Sequence, residues 1–183
     1  GAHVSMGTGN VPAGVHSATL YDLIPLIFAD IYLHPADRVL YEERVALFRA
    51  LDTVFAISES ARQDAIRHLG IAPHRIVNIG AAASPAFRHL GAIAPGAVDE
   101  TLARCGLRGR FILYTGGIDY RKNIDGLLAA YAALPPAVAQ DVQLAIVCDL
   151  SVKERADLLA RAKSLGVANP PVFTGYVTDE DLN

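Results

Sequence analysis

Residues 111–128, with the sequence FILYTGGIDYRKNIDGLL, carry the clearest signal for the fold. An apolar run is followed by Gly116 and Gly117, and then by a short polar loop that carries Arg121 and Lys122. This order predicts a strand, a tight turn and a helix, with two cations at the carboxyl end of the strand. Open α/β sheets bind ligands at that edge, and helix N-termini attract anions, so the loop is a candidate anion site. The alternative is a tight turn whose cations face solvent, because a single glycine-rich turn is a weak signal.

The helix after this turn is predicted from capping and periodicity. Asn123 is a favourable N-cap, and Pro135-Pro136 ends the helical pattern. Five apolar residues share one face at helical spacing, namely Ile124, Leu127, Leu128, Tyr131 and Leu134.

The rest of the chain repeats the order of strand and helix. Strands are predicted over 17–20, 53–57, 75–79, 111–115, 142–148 and 172–174, and helices over 38–51, 98–105 and 151–165 and after Ser58 or Ser60. Such alternation predicts the α/β class with Rossmann-like parallel sheets. The residues expected to face the core are Leu40, Leu47, Phe48 and Leu51 in the first helix, and Leu158, Leu159, Ala162 and Leu165 in the last.

The domain organisation is predicted from shifts in composition. Residues 1–10 read as a polar leader or tag remnant, and the Ala-, Gly- and Pro-rich stretch 81–100 reads as a linker between halves at 11–80 and 101–183. Each half holds about three strands, which is few for a sheet. A helix start at Thr178 also stands close to the last residue. We therefore expect a fragment of a longer protein.

The composition excludes several classes of protein. Hydrophobic residues make up 52% of the 183 positions and charged residues only 19%, which predicts a packed core rather than disorder. The net charge of −3, with acids and bases interspersed, argues against nucleic-acid binding. Cys105 and Cys148 lack the spacing of metal ligands, and two such thiols fit a reduced, cytosolic compartment. The most apolar stretch, 17–33, is interrupted by two aspartates and a proline, so it is a poor membrane span.

Three segments, in order along the chain, resemble the GT-B glycosyltransferases of family 4, also called group 1. They are YDLIPLIFADIYL at 21–33, AISESARQDAIRHLGIAPHRIVNIGAA at 56–82 and YTGGIDYRKNIDGLL at 114–128, and the third is continued by VFTGYVTDEDL at 172–182. The resemblance implies that 11–80 is the C-terminal part of the GT-B N-domain. It likewise implies that 101–183 is the N-terminal part of the C-domain, which binds the nucleotide sugar.

The resemblance also implies roles for the residues of the loop. The donor is a nucleotide-diphosphate sugar, and a lysine in this loop stabilises the charge of the departing diphosphate. Lys122 matches that lysine. The family's upstream arginine falls at Gly117, and the adjacent Arg121 is the expected substitute. Gly116 and Gly117 would let the donor diphosphate approach the backbone closely.

Other predicted site residues lie in the first half. Tyr21-Asp22 stands where many family members have His-Asp, so Tyr21 and Asp22 are expected on the acceptor or sugar side, together with Glu59. A tyrosine at this position would place substrate rather than move protons, because its pKa is about 10. The alternatives are a strand-end tyrosine with a turn aspartate, and a Ser58-Glu59 pair that only caps a helix.

Metal chemistry is not predicted. Asp179-Glu180-Asp181 matches the Asp-x-Asp pattern of metal-dependent transferases, but acids in the first turn of a helix explain it as well. No histidine has a partner at ligand spacing. The resemblance implies neither a cofactor nor a metal, and the nucleotide-diphosphate sugar enters as a substrate.

The resemblance implies the function of a retaining glycosyltransferase fragment acting on a saccharide or lipid-linked acceptor, in cell-surface polysaccharide synthesis. The family's Glu-x7-Glu motif has no counterpart in these residues, so the chain by itself is expected to be inactive. The expected location is cytoplasmic, with peripheral membrane association of the full-length enzyme as an alternative. Uncovered apolar faces predict self-association. Two other classes stay open: a non-catalytic Rossmann-type nucleotide- or phosphate-binding module, and a structural domain.

Overall fold

The part of the chain that the structure describes contains two separate three-stranded sheets, and all neighbouring strands in them are parallel. The computed structural model describes residues 14–183, so the leader predicted at 1–10 lies outside the described residues. The described residues divide into two compact units, 14–83 and 84–183, and each unit holds one sheet. The predicted α/β class is confirmed, and the predicted domain boundaries stay a prediction.

The first unit contains three strands that lie side by side in chain order. Leu20 pairs with Ala56, and Ala56 pairs with Asn78, so the three strands end at one edge of the sheet. The strands are β1 (Ser17–Leu20), β2 (Thr53–Ala56) and β3 (Ile76–Asn78). The helices are α1 (Ile24–Ile27), α2 (Ala29–Tyr32), α3 (Pro35–Ala46) and α4 (Glu59–Leu69), with 3-10 turns at Leu47–Ala50 and Pro73–Arg75.

The core of this unit corrects the predicted face of the first helix. Phe48 is buried and Leu51 packs against the core, as predicted, but Leu40 and Leu47 are exposed. Val45 is buried and Tyr41 packs against the core instead. The stripe through Leu40 and Leu47 is interrupted by a glutamate and an arginine, while the one through Tyr41, Val45 and Phe48 is apolar throughout. The continuous apolar stripe therefore faces the sheet. Helix α4 is capped by Ser58, whose Oγ accepts a hydrogen bond from the Ala61 N–H at 3.1 Å.

The second unit repeats this plan. Strand β5 is central, and the order of strands again follows the chain. The strands are β4 (Arg110–Thr115), β5 (Val142–Val147) and β6 (Val172–Phe173). The helices are α5 (Ala97–Arg104), α6 (Ile124–Ala132), α7 (Pro136–Ala139), α8 (Val152–Ser164) and α9 (Asp179–Leu182), with 3-10 turns at Leu90–Ala92 and Tyr120–Lys122.

Helices α6 and α8 cover one face of this sheet. Leu128 of α6 is fully buried against Leu144 and Ile146 of β5, and Leu158 and Ala162 of α8 join the same cluster. The predicted inward position of Leu159 is wrong, because 36% of this residue is exposed. Leu158 and Ala162 lie one helical turn apart and define the buried stripe, and Leu159 falls to one side of it.

No helix within residues 14–183 combines the length and the apolar character required to span a bilayer.

Candidate functional site

The candidate site lies at the carboxyl edge of the second sheet, where β4 ends in the two predicted glycines. The Gly116 N–H still donates to the Val147 carbonyl at 3.4 Å, so the ladder to β5 extends one residue past the strand. Gly116 has a φ of 126°, a conformation that side-chain-bearing residues rarely adopt. The first glycine is therefore required by the backbone, which leaves the sheet at this point.

A 3-10 turn joins the glycines to helix α6. The Lys122 N–H donates to the Asp119 carbonyl at 2.9 Å, and Asn123 then adopts a left-handed conformation with a φ of 48°. The Asn123 Oδ1 accepts from the Gly126 N–H at 3.2 Å, which confirms the predicted N-cap. Asparagine tolerates this conformation better than most residues, so one side chain both turns the backbone and caps the helix.

Lys122 extends back over the glycine turn. Its Cε and Nζ atoms lie 3.9 Å from the point where a Cβ on Gly116 would stand, and the residue is exposed. No carboxylate within residues 14–183 forms an ion pair with its ammonium group. The positive charge therefore lies beside the strand end, and Lys122 directly precedes the N-cap of α6.

Arg121 is placed differently from its neighbour. Its Nε lies 3.1 Å from the Asp119 Oδ1, and both side chains are partly exposed. The Asp119 Oδ2 lies 3.6 Å from the point where a Cβ on Gly117 would stand. The Asp119 carboxylate therefore neutralises the charge of Arg121 and lies beside Gly117.

Gly126→Ala should lower the stability of the second unit, although alanine is the better helix former. A Cβ on Gly126 would lie 2.5 Å from the Asn123 Nδ2 and 2.8 Å from its Oδ1, so the cap would have to move. Loss of this N-cap costs up to about 2 kcal/mol, whereas the change from glycine to alanine gains at most about 1 kcal/mol in helix propensity. We expect the free energy of unfolding in urea to fall by up to about 1 kcal/mol, which is the difference between these two effects.

The control for this prediction is the same substitution in an Asn123→Gly background. Glycine accepts the left-handed conformation and has no side chain to meet the new methyl group, so Gly126→Ala should then be neutral or stabilising. A gain in stability in the wild-type background would contradict the prediction.

The remaining predicted site residues lie at the carboxyl edge of the first sheet. Tyr21 follows β1 and is 65% exposed, while the Asp22 Oδ1 accepts from the Ile24 N–H at 3.0 Å. Glu59 opens α4 after β2, and its Oε1 accepts from Gln63 at 2.7 Å and from Arg62 at 3.0 Å. These two hydrogen bonds lower the pKa of Glu59, so it is held as a carboxylate. Glu59 and Asp22 thus have structural partners, and Tyr21 presents its ring to solvent.

The acidic residues Asp179, Glu180 and Asp181 form the first turn of helix α9. Thr178 caps α9, and its hydroxyl accepts from the Asp181 N–H at 3.2 Å. The Asp181 carboxylate forms an ion pair with Arg104 of α5. Among the described residues, no three of His, Cys, Asp and Glu cluster in a way that could hold a metal ion.

The structure therefore groups the predicted residues by unit. Gly116, Gly117, Arg121 and Lys122 lie in one loop at the edge of the second sheet, and Tyr21, Asp22 and Glu59 lie at the edge of the first. Neither Tyr114 nor Asp119 is predicted from the sequence as a site residue, although both contact the loop. The signal for Tyr114 was its place as the last large residue of a strand before two glycines.

Sequence comparison relates the chain to bacterial mannosyltransferases. It is 33% identical to the serotype-specific mannosyltransferase WbdA of Escherichia coli over 181 residues, which is 98% of this chain and 22% of that protein. It is 32% identical to the O-antigen chain mannosyltransferase B of Escherichia coli over 162 residues, which is 85% of this chain and 41% of that protein. The chain thus spans between a fifth and two fifths of the length of these relatives. No family model matches it.

Structural comparison places the same fold in solved glycosyltransferases. WaaG, a glycosyltransferase involved in lipopolysaccharide biosynthesis, superposes on 92% of this chain and 48% of its own, with a TM-score of 0.66 at 19% identity. HepE of Anabaena, solved in complex with UDP and glucose, covers 91% of this chain and 43% of its own, with a TM-score of 0.64 at 17% identity. The resemblance to GT-B glycosyltransferases is confirmed for the fold, and the assignment to family 4 stays a prediction.

Proposed function

We propose that this chain, a relative of bacterial mannosyltransferases with the fold of the GT-B glycosyltransferases, forms part of an enzyme that transfers a sugar. The donor is a nucleotide-diphosphate sugar, and the acceptor is a saccharide or a lipid-linked saccharide of a cell-surface polysaccharide. The names of the sequence relatives favour mannose as the transferred sugar. The proposed location is the cytoplasm, with the acceptor at the membrane surface.

The observation that carries this proposal is the position of Lys122. Departure of a nucleoside diphosphate builds negative charge, and a fixed cation at the leaving group lowers the energy of the transition state. The Lys122 ammonium group lies over Gly116 at the carboxyl end of a parallel strand, where α/β folds bind ligands. The N-terminus of α6 adds a favourable dipole for an anion.

The remaining roles follow from this placement. Gly116 and Gly117 present backbone without side chains, so a diphosphate could approach the turn closely. Arg121 would add a second cation if the donor draws its guanidinium away from Asp119. Tyr21, Asp22 and Glu59 are proposed for the acceptor or sugar side. Transfer is proposed to retain the anomeric configuration, with the leaving phosphate as the base and with no metal or cofactor.

Binding of a diphosphate by the chain itself is the test of this proposal. We would titrate inorganic pyrophosphate, UDP and GDP into the protein and follow the heat of binding, with inorganic phosphate and uridine as controls. The proposal expects all three diphosphates to bind more tightly than either control. The proposal would be rejected if the diphosphates did not bind, or bound no more tightly than inorganic phosphate and uridine. The ratio of UDP to GDP affinity would then indicate the donor nucleotide.

We also propose that the chain self-associates. Parallel sheets are normally covered on both faces, but Ile112 and Leu113 of strand β4 are 37% and 47% exposed. They point to opposite faces of a strand that has no neighbour on its outer side among residues 14–183. Such edges and faces favour pairing with another chain.

Leu113→Lys should therefore shift the chain towards the monomer. A lysine on an edge strand opposes edge-to-edge pairing and removes apolar contact area. Sedimentation velocity over a concentration series would measure the shift. Leu159→Lys is the matched control, because Leu159 is 36% exposed but lies on a helix. A wild-type chain that stays monomeric at the highest concentration would contradict this prediction.

A further inference from the structure

We infer that Tyr114 is a positioning residue, whose hydroxyl group holds the glycine turn in the shape that binds the donor diphosphate. The inference rests on the proposed function and adds a residue that neither the sequence patterns nor the family resemblance assigns to the site. Tyr114 is the penultimate residue of β4 and lies two positions before Gly116.

The side chain of Tyr114 joins the core to the loop. Its ring packs against the cluster that includes Leu128 and Ile146, and its hydroxyl donates a hydrogen bond to the Gly117 carbonyl. The hydroxyl oxygen lies 3.8 Å from the point where a Cβ on Gly116 would stand, and the Lys122 Nζ lies 3.9 Å from the same point. The phenol and the ammonium group therefore both lie next to the same glycine.

This hydrogen bond restricts the backbone conformation of the two glycines. Two successive glycines have a wide choice of backbone conformations, and fixing them costs more entropy than fixing other residues. In a planar trans peptide the C=O and N–H groups point in opposite directions, so a bond to the Gly117 carbonyl also fixes the direction of the Ile118 N–H. The peptide is thereby set before an anion arrives, which reduces the cost of binding.

The phenol of Tyr114 is protonated near neutral pH, as is usual for tyrosine, and its surroundings extend that range upward. Partial burial raises the pKa of Tyr114 above its ordinary value, and the negative charges that Cys148 and Asp119 can carry act in the same direction. A neutral phenol can donate to a carbonyl, whereas a phenolate cannot. The hydroxyl therefore remains a donor across the pH range in which the protein would work.

Tyr114→Phe tests this role, with Tyr131→Phe as the matched control. The Tyr131 hydroxyl also donates to a backbone carbonyl, that of Val142 at 2.9 Å, but it lies at the far end of β5 from the loop. We expect Tyr114→Phe to weaken the binding of inorganic pyrophosphate about fivefold, as for loss of one hydrogen bond. Tyr131→Phe should leave that affinity unchanged while lowering the unfolding temperature.

A second measurement separates positioning from general stability. In protein labelled with ¹⁵N at glycine, Tyr114→Phe should shift or broaden the amide signals of Gly116 and Gly117 and leave that of Gly166 unchanged. Equal pyrophosphate affinity in Tyr114→Phe and wild type, or an equal loss in Tyr131→Phe, would overturn the inference while the proposed function stands. Failure of the wild-type chain to bind pyrophosphate would instead reject the proposed function, and the inference with it.

Discussion

Lys122→Ala should weaken the binding of pyrophosphate and of nucleoside diphosphates by about 10- to 100-fold. The ammonium group lies beside Gly116 at the strand end, and the described residues offer it no carboxylate partner. Its removal takes away the charge on which the proposed anion site depends, because a hydrogen bond to a charged group contributes about 1.5–3 kcal/mol. Calorimetric titration of the variant beside wild type would measure the loss.

Two further variants test whether the loss of affinity is specific to Lys122. Lys153→Ala removes an exposed lysine of α8 in the same unit, whose Nζ lies 2.8 Å from the Asp157 Oδ2, and should leave the affinity unchanged. Arg121→Ala should have a smaller effect than Lys122→Ala, because the Arg121 guanidinium already pairs with Asp119. If Lys122→Ala bound pyrophosphate as tightly as wild type, Lys122 would have no role in anion binding.

Leu128→Ala should reduce the free energy of unfolding of the second unit by about 3–4 kcal/mol. Leu128 is fully buried between α6 and β5, where it contacts the cluster built around Leu144 and Ile146. The substitution removes buried methyl groups and leaves a cavity that the packed strand cannot readily fill. Urea unfolding, followed by circular dichroism, would give the change in midpoint.

Leu159→Ala is the matched control, with the same change of side chain on α8. Since 36% of Leu159 is exposed, its truncation should cost less than about 1 kcal/mol. Equal losses in the two variants would mean that the buried stripe of α8 includes position 159, as its sequence pattern suggests. A small loss in Leu128→Ala would show that the second sheet is not packed against α6.

Strands and long helices could be predicted from the sequence, because their signals are local and repeated. Strand β1 has the predicted bounds, and the other five strands differ from prediction by one or two residues at their ends. The capping box that opens α8 was also visible, since Ser151 and Glu154 stand at the required spacing and each bonds the backbone of the other. Helices α1 and α2 were not predicted, because each has only four residues and shows no period.

The inward face of a helix was predicted less well than the helix itself. For α3 the spacing of Leu40 and Leu47 suggested a core stripe, but two charged residues lie on that stripe and the sheet selected the uninterrupted one. Which of two apolar stripes is buried depends on the surface that the helix meets. A single helix sequence does not contain that information.

The residues of the candidate loop could be predicted, but not its contacts. Glycines, cations and an N-cap are visible as residue types, so Gly116, Gly117, Lys122 and Asn123 were identified together. The bond from Tyr114 to Gly117 and the need for glycine at 126 both depend on backbone angles, in particular the φ of 48° at Asn123. No residue pattern specifies such an angle in advance.

The separation of the two sheets has a consequence for biosynthesis. Within residues 14–183, every strand pairs only with strands of its own unit, and each pairs with the strand next to it in the chain. The paired strands are nevertheless distant along the chain, as Ser17 is from Thr53 and Arg110 is from Val142, and parallel pairing of this kind forms slowly. As the chain leaves the ribosome, the three strands up to Asn78 can assemble before Arg110 has been synthesised. Folding during translation can therefore proceed in two successive stages, one for each sheet.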